Sequence, residues 1–119
     1  ISSSGIIIPI PKLAISNTLR SALAAYAKTL ADQVAADGVT VNVMMPGRID
    51  TDRVKQLDSA VAAGQGITPE EAKVDSIKLI PAERYGRPEE FGAVSAFYAS
   101  TQAAYLTGAL INIDGGTDF

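Results

Sequence analysis

The sequence predicts an α/β fold that forms half of a doubly wound parallel sheet. A helical pattern over residues 13–36 is followed within two residues by the β-branched run 39–45. A second helical pattern, over residues 88–100, leads to the apolar run 109–113 near the end of the chain. A helix that feeds a short buried strand in this way is the second half of a β-α-β crossover, which makes the strands parallel.

The first five residues, ISSSG, predict the end of a strand followed by a loop. Pro9 and Pro11 keep residues 6–11 out of a helix or a central strand, because proline lacks the backbone donor that both need. The sequence opens at Ile1 in the middle of an apolar-then-serine pattern. We therefore expect an N-terminal half of the domain that is not among the 119 residues, and the open sheet edge of a lone strand stub favours the same expectation.

Residues 13–36 predict one long helix. Alanine, the strongest helix former, is abundant there, and larger apolar residues recur at helical intervals: Leu13, Leu19, Leu23, Leu30 and Val34. Gly38 is expected to end this helix in the left-handed conformation. The run 39–45 follows with valine at three alternate positions, which is typical of a buried strand.

Between the two strands, residues 51–62 predict a helix that is broken by the glycines of residues 64–66. A further helix is expected to begin at Thr68. Thr68 suits the N-cap, Pro69 the first helical position and Glu71 the capping-box position.

The composition excludes several kinds of site. The net charge is −3 without a basic block, so neither nucleic acid nor a membrane surface is expected as a partner. No apolar run approaches the roughly 20 residues of a spanning helix, and we expect a cytoplasmic protein. Because the sequence has no cysteine or histidine, it offers no disulfide, thiol nucleophile, histidine base or histidine metal ligand.

The spacing of several residues resembles the C-terminal half of the short-chain dehydrogenase/reductase family. That family has a catalytic serine after one strand, a Tyr-x-x-x-Lys pair that starts thirteen residues later, and Pro-Gly after the next strand. Here Ser3 is followed thirteen residues later by Ser16, then by Arg20 at the lysine position, and later by Pro46-Gly47. The runs DGVTVNVMMPG and GRPEEFGAVSAFYAS are also similar to the family.

The resemblance implies that residues 1–119 are the C-terminal half of a single Rossmann-type domain, whose N-terminal cofactor-binding half is absent. Residues 51–84 would be a helical insertion that covers the substrate. The cofactor would be NAD or NADP, without a preference that the sequence can decide. The resemblance places four residues on the nicotinamide side of that cofactor: Pro46, Gly47, Ile49 and Thr51.

Two departures from the family concern the acid. Ser16 stands at the position of the tyrosine proton donor, and an aliphatic hydroxyl titrates far above the phenol's pKa of about 10. Arg20 keeps the positive charge of the lysine and could hold the cofactor's ribose hydroxyls, with a different donor geometry. We take Ser3, Ser16 and Arg20 as the candidate catalytic residues, with a water completing the proton relay. The alternative is that Ser16 and Arg20 are a pair that faces solvent.

The implied function is reduction of a ketone or oxidation of a secondary alcohol, with 3-oxoacyl compounds among the small-molecule substrates. Two alternatives stay open. One is a non-catalytic member that binds a nucleotide or a partner, and the other is a fragment that is inactive without its N-terminal half. Family members form dimers and tetramers through the long helix and the C-terminal segment, so a homo-oligomer is expected, with Phe119 buried against a neighbour.

Overall fold

Residues 1–117 are described by the structure, a computed structural model, and they form four α-helices and two strands. In chain order these are α1 (Ala14–Val34), β1 (Val43–Pro46), α2 (Asp52–Gln65), α3 (Pro69–Lys78), α4 (Pro88–Tyr98) and β2 (Leu110–Ile113). Three short 3-10 helices cover Ser4–Ile6, Ala35–Asp37 and Thr101–Ala103. The prediction for Phe119 lies outside the described residues.

Helix α1 confirms the long predicted helix. It buries a stripe of small side chains, Ala24, Ala27 and Ala31, which lets the helix lie close to the sheet. The chain leaves it through a 3-10 turn, and Gly38 has a φ of 73°. This left-handed conformation costs glycine little and other residues more, so the predicted end of the helix is confirmed as well.

The two strands pair in parallel, as predicted, with Val43 opposite Leu110 and Pro46 opposite Ile113. Strand β1 begins four residues later than predicted. The reason is that side-chain hydrogen bonds take the place of ladder bonds at the two residues before the strand. Thr107 Oγ1 accepts from Val41 N at 3.0 Å, and Asn42 Nδ2 donates to Leu106 O at 2.8 Å.

The sequence predicts the end of a strand at the N-terminus, and this prediction is wrong, because residues 1–3 form no regular strand. One backbone bond resembles strand pairing, in which Ser2 N donates to Met44 O at 2.8 Å. Ser3 is extended, but its side chain accepts a hydrogen bond from Gly5 N and starts the 3-10 turn. Side-chain capping therefore turns the chain away after a single ladder bond.

Two apolar clusters hold the molecule together. Ala27, Val43 and Met45 pack α1 onto β1. Val54, Ile80 and Tyr85 form the second cluster, which joins α2 to the segment after α3. The insertion therefore has an apolar core of its own, which Tyr85 completes from the position directly after it.

The caps of the insertion follow the prediction closely. Thr68 N donates to Glu71 Oε2 at 2.8 Å and Glu71 N donates to Thr68 Oγ1 at 3.2 Å, which completes the predicted capping box of α3. Helix α2 runs three residues beyond the predicted end, through Gly64, and stops at Gly66 with a φ of 71°. Helix α4 ends at Tyr98, two residues before the predicted end. None of the helices within residues 1–117 has both the length and the apolarity to cross a membrane.

Candidate active site

A cavity of about 350 Å³ opens at the carboxyl end of β1. The four residues predicted on the nicotinamide side all line it: Pro46, Gly47, Ile49 and Thr51. The other walls come from the N-terminus, α2 and the start of α4, and are Ile1, Arg53, Val54, Pro88 and Phe91. Most of these side chains are apolar, as is usual for a pocket that takes a small organic group.

The loop that lines this cavity, residues 46–51, is held on two sides. Gly47 N donates to Ile113 O at 3.0 Å, which extends the pairing with β2. On the other side Gly86 N donates to Arg48 O at 2.9 Å and Asp50 N donates to Gly86 O at 2.8 Å. Backbone bonds at both edges fix the loop before any ligand arrives.

Gly47 is required by a close approach between two chain segments. A Cβ atom at this position would lie 2.6 Å from the Asp114 Cα and 2.7 Å from the Asp114 Cβ. The backbone fixes the positions of the Asp114 Cα and Cβ, so a side-chain rotation cannot relieve this clash. Only glycine therefore lets the loop approach the turn after β2 this closely.

Thr51 has two roles available to it. Its Oγ1 accepts from Val54 N at 3.4 Å and caps α2. A threonine hydroxyl also carries one proton to donate, so Thr51 keeps a donor for a group in the cavity.

Ser3 and its neighbour Ser2 differ in burial and in the hydrogen bonds of their hydroxyls. Ser3 is half-buried, and its Oγ accepts from Gly5 N at 3.3 Å. Ser2 is only 5% exposed, and its Oγ has no hydrogen-bond partner among residues 1–117. Buried hydroxyls are rarely left without a partner, so Ser2 is a second candidate that the thirteen-residue spacing did not indicate.

Ser16 and Arg20 extend the inward-facing stripe of α1. Each is half-buried, and the positions four and seven residues after Arg20 are the buried Ala24 and Ala27. Residues four apart on a helix share a face, so this pair lies toward the body and not on the fully solvent-exposed side. No hydrogen bond or ion pair joins either side chain to another described residue.

Asn17, in the first turn of α1, binds the backbone of Ile10 in the preceding loop and lies beside Gly5 at the end of the serine segment. Its Nδ2 donates to Ile10 O at 2.9 Å, and its Oδ1 accepts from Ile10 N at 3.3 Å. The same Oδ1 lies 2.6 Å from where a Cβ of Gly5 would be. The structure therefore brings the serines and the start of α1 together, while Ser3, Ser16 and Arg20 are outside the lining of the apolar cavity.

A buried polar cluster was missed by the sequence predictions. Asp58 is 4% exposed, and its Oδ1 lies 3.2 Å from an Arg48 guanidinium nitrogen. The Tyr85 hydroxyl donates to the same carboxylate, at 3.1 Å and 3.0 Å from its two oxygens. Burial, and to a lesser degree the neighbouring Asp58, raises the pKa of the Tyr85 phenol. The available signal was an aspartate one turn after Val54, at a position of α2 where the pattern calls for an apolar residue.

The described residues fit one end of a nicotinamide cofactor. The cavity offers apolar walls of the kind that a flat ring needs, and the Thr51 hydroxyl supplies a donor beside them. Within residues 1–117 no three acidic side chains gather in a way that could hold a metal ion.

Comparisons with known proteins identify a family and several relatives. Residues 1–118 match the family model described as enoyl-(acyl carrier protein) reductase. The chain is 38% identical over 90 residues to the 3-oxoacyl-[acyl-carrier-protein] reductase MabA of Mycobacterium tuberculosis, covering 76% of this chain and 32% of MabA. It is 36% identical over 102 residues to the NADPH-dependent reductase BacG of Bacillus subtilis, covering 86% of this chain and 39% of BacG.

Solved structures show the same fold. YwfH, an NADPH-dependent reductase involved in bacilysin biosynthesis, superposes with a TM-score of 0.91 at 32% identity, covering 98% of this chain and 44% of YwfH. A short-chain dehydrogenase family protein from Francisella tularensis superposes with a TM-score of 0.90 at 32% identity, covering 98% of this chain and 48% of that protein. The chain spans about a third of the length of the curated relatives it matches.

These similarities confirm the predicted part of a doubly wound, Rossmann-type sheet. The family match extends from the serine segment at the start to the turn after β2. The chain belongs to the short-chain dehydrogenase/reductase family.

Proposed function

We propose that the complete protein is an NAD(P)-dependent oxidoreductase of the short-chain type, which reduces a ketone or oxidises a secondary alcohol. The observation that carries this proposal is the cavity at the carboxyl end of β1, where Pro46, Gly47, Ile49 and Thr51 meet. Ligands of open α/β sheets bind at this end of the strands. The reductase names of MabA and BacG support the same reading.

Loop 46–51 would hold the nicotinamide end of the cofactor. Pro46 and Ile49 would exclude water from one side of the ring, and the Thr51 hydroxyl would donate to its amide. The Arg20 guanidinium would hold ribose hydroxyls, which are acceptors that suit its donors. When bound, the reduced cofactor supplies a hydride for the carbonyl carbon. Because BacG and YwfH are named as NADPH-dependent, NADPH is the form to test first.

The oxygen of the reduced carbonyl must also receive a proton, and this chain supplies it in an unusual way. Ser3 would donate a hydrogen bond that polarises the substrate carbonyl. Ser16 would hold a water that gives the proton and takes another from solvent, while Arg20 stays charged and stabilises the developing negative oxygen. Positioned general acids contribute about 10² to 10⁴ in rate, and water in place of a phenol forfeits part of that.

Residues 51–84 would form the cover over the substrate. Val54 and Ile80 are buried and pack against Tyr85 in the core of the insertion. Other apolar side chains of the insertion remain exposed: Leu57, Val61, Val74 and Leu79. Exposed apolar surface on the insertion supports a substrate with an acyl chain, for which 3-oxoacyl thioesters are the first candidates.

A second candidate function is binding without turnover. The observation in its favour is Ser16, which removes the phenol that the family uses as its acid. The homo-oligomer and the cytoplasmic location stay predictions.

The test is NADPH oxidation by the complete protein with a panel of 3-oxoacyl thioesters and simple ketones. We expect slow turnover by the wild type, a rise of about 10²-fold or more in the double variant Ser16→Tyr with Arg20→Lys, and a loss in Ser3→Ala. Ser2→Ala, made alongside, tells which serine polarises the carbonyl. If NADPH binds but neither the wild type nor the double variant turns over any compound, the non-catalytic function replaces this proposal.

A further inference from the structure

We infer that Asp58 is a positioning residue that holds loop 46–51 and helix α2 in one fixed arrangement around the cavity. It acts through Arg48 and Tyr85, which it binds from opposite segments of the chain. The effect that we expect on kcat rests on the proposed function, whereas the effect on the rigidity of the loop and the helix does not.

The carboxylate of Asp58 is the centre of the cluster. Arg48 approaches Oδ1 at 3.2 Å, and the Tyr85 hydroxyl lies 3.1 Å and 3.0 Å from the two oxygens. Asp58 is 4% exposed, whereas the Arg48 side chain keeps 34% of its surface in contact with solvent. The carboxylate is therefore enclosed by its two partners and has little water to replace either of them.

Two of the three residues, Arg48 and Asp58, are attached to walls of the cavity. Arg48 lies between Gly47 and Ile49, which both line it. Val54, which also lines it, precedes Asp58 by one turn on the same face of α2. The Asp58 carboxylate thus joins the loop wall to the helix wall.

Tyr85 connects the same cluster to the far end of the insertion. The next residue, Gly86, exchanges backbone hydrogen bonds with Arg48 and Asp50, at 2.9 Å and 2.8 Å. From α3, the Lys73 ammonium lies 5.3 Å from the centre of the Tyr85 ring and 3.9 Å from an Asp50 oxygen. The start and the end of the insertion therefore meet at one buried carboxylate.

The contribution of the buried Asp58 carboxylate to stability does not explain its presence in the cluster. A buried ion pair stabilises a fold no better than well-packed apolar residues of the same size, because desolvation offsets the attraction. What it supplies is direction, since the carboxylate accepts bonds only from partners in defined positions. An apolar residue would pack α2 equally well and leave its rotation over the cavity undefined.

The experiment compares Tyr85→Phe with the wild-type complete protein. This variant keeps the ring and removes the hydroxyl that donates to Asp58. We expect hydrogen–deuterium exchange of the amides of residues 47–57 to become about tenfold faster, which corresponds to one lost bond to a charged group, while residues 24–31 of α1 keep their rates. We also expect kcat for a 3-oxoacyl thioester to fall about tenfold, because displacement of loop 46–51 misplaces the nicotinamide ring relative to the substrate. The KM for NADPH should change by less than about threefold.

Two matched variants complete the design. Tyr105→Phe removes the same atom from a fully exposed tyrosine and should change nothing. Arg48→Lys keeps the charge with a different donor geometry and should give an exchange rate between those of the wild type and Tyr85→Phe. Unchanged exchange over residues 47–57, or an equal rise over residues 24–31, would overturn the inference. If neither the wild type nor the double variant Ser16→Tyr with Arg20→Lys turns over any substrate, the proposed function fails alone, and the exchange rates still decide the role of Asp58.

Discussion

Ser16 and Arg20 stand where the resemblance to the family places a tyrosine and a lysine. Both keep the inward, half-buried positions on α1 that continue into the buried Ala24 and Ala27. The helix therefore still presents a hydroxyl and a cation toward the body, although the acidity of a phenol is gone. Under the proposed function, Ser16 has the placement of the family's acid but not its acidity, which is why the double exchange to tyrosine and lysine is informative.

Gly47→Ala tests the close approach between the loop and the turn after β2. The new Cβ would lie 2.6 Å from the Asp114 Cα, so we expect a loss of about 1–3 kcal/mol in the free energy of unfolding, as for other overpacked sites. Urea denaturation of the complete protein measures this. Gly64→Ala is the matched control, because its Cβ meets nothing within 4 Å inside α2, and it should stabilise by about 0.5–1 kcal/mol. Equal stability of the two variants would contradict the contact.

At the scale of elements, the helices were predictable because their ends carry their own signals. Thr68, Pro69 and Glu71 form a cap that depends only on local sequence, and the structure contains it. Strand β1 was placed four residues too early because its start depends on the Thr107 hydroxyl, which is 66 residues away. The cavity lining followed from a motif, whereas the bond between Asp58 and Tyr85 joins residues 27 apart whose pairing no local pattern indicates.

Thr68→Ala tests the cap of α3. It removes the oxygen that accepts from Glu71 N at 3.2 Å, and we expect a loss of about 1 kcal/mol in the free energy of unfolding. Thr29→Ala, at an exposed position inside α1, serves as the control and should be neutral or slightly stabilising because alanine is the better helix former. A cap that contributes nothing would show no difference between the two variants in chemical denaturation.

Glu90 links α4 to the end of the insertion in a pH-dependent way. Hydrogen bonds from Arg84, followed by one from Arg87 N, lower the pKa of this carboxyl from 4.5 to about 2. Because the folded pKa is lowered, the contribution to stability is fully present above pH 4.5 and is lost as the pH falls through about 2. The stability difference between the wild type and Glu90→Gln should therefore shrink over this range in unfolding experiments at stepped pH. Glu89→Gln measures the effect of net charge alone, and a constant Glu90 difference would contradict the pairing.

The described part of the chain leaves a large apolar stripe of α1 exposed. Ile15, Leu19, Leu23 and Tyr26 recur at helical intervals and are 78%, 64%, 48% and 64% exposed. A contiguous apolar face of this kind marks an association surface more often than a free one. It supports the predicted homo-oligomer, with the stripe of one copy against that of another.

Leu19→Glu tests this association. A charge at the centre of the stripe would be desolvated in the assembly, so we expect the complete protein to shift from a dimer or tetramer to a smaller species in sedimentation velocity. Gln33→Glu adds the same charge at an exposed polar position of α1 and should leave the distribution unchanged. A monomeric wild type would remove the oligomer prediction, and an unaffected Leu19→Glu would move the interface elsewhere.

The backbone pairing of Ile49 with Gly86 has a consequence for how such a protein can diversify. The insertion leaves and re-enters the body through neighbouring residues, so its two ends are already closed into a loop by the scaffold. Lengthening a loop whose ends are fixed adds only about 0.6 kcal/mol for each doubling of its length. An insertion of different length and chemistry can therefore replace this one while the register of β1 and β2 is preserved. If residues 51–84 cover the substrate, as we propose, this junction is the place at which a new substrate specificity can be introduced.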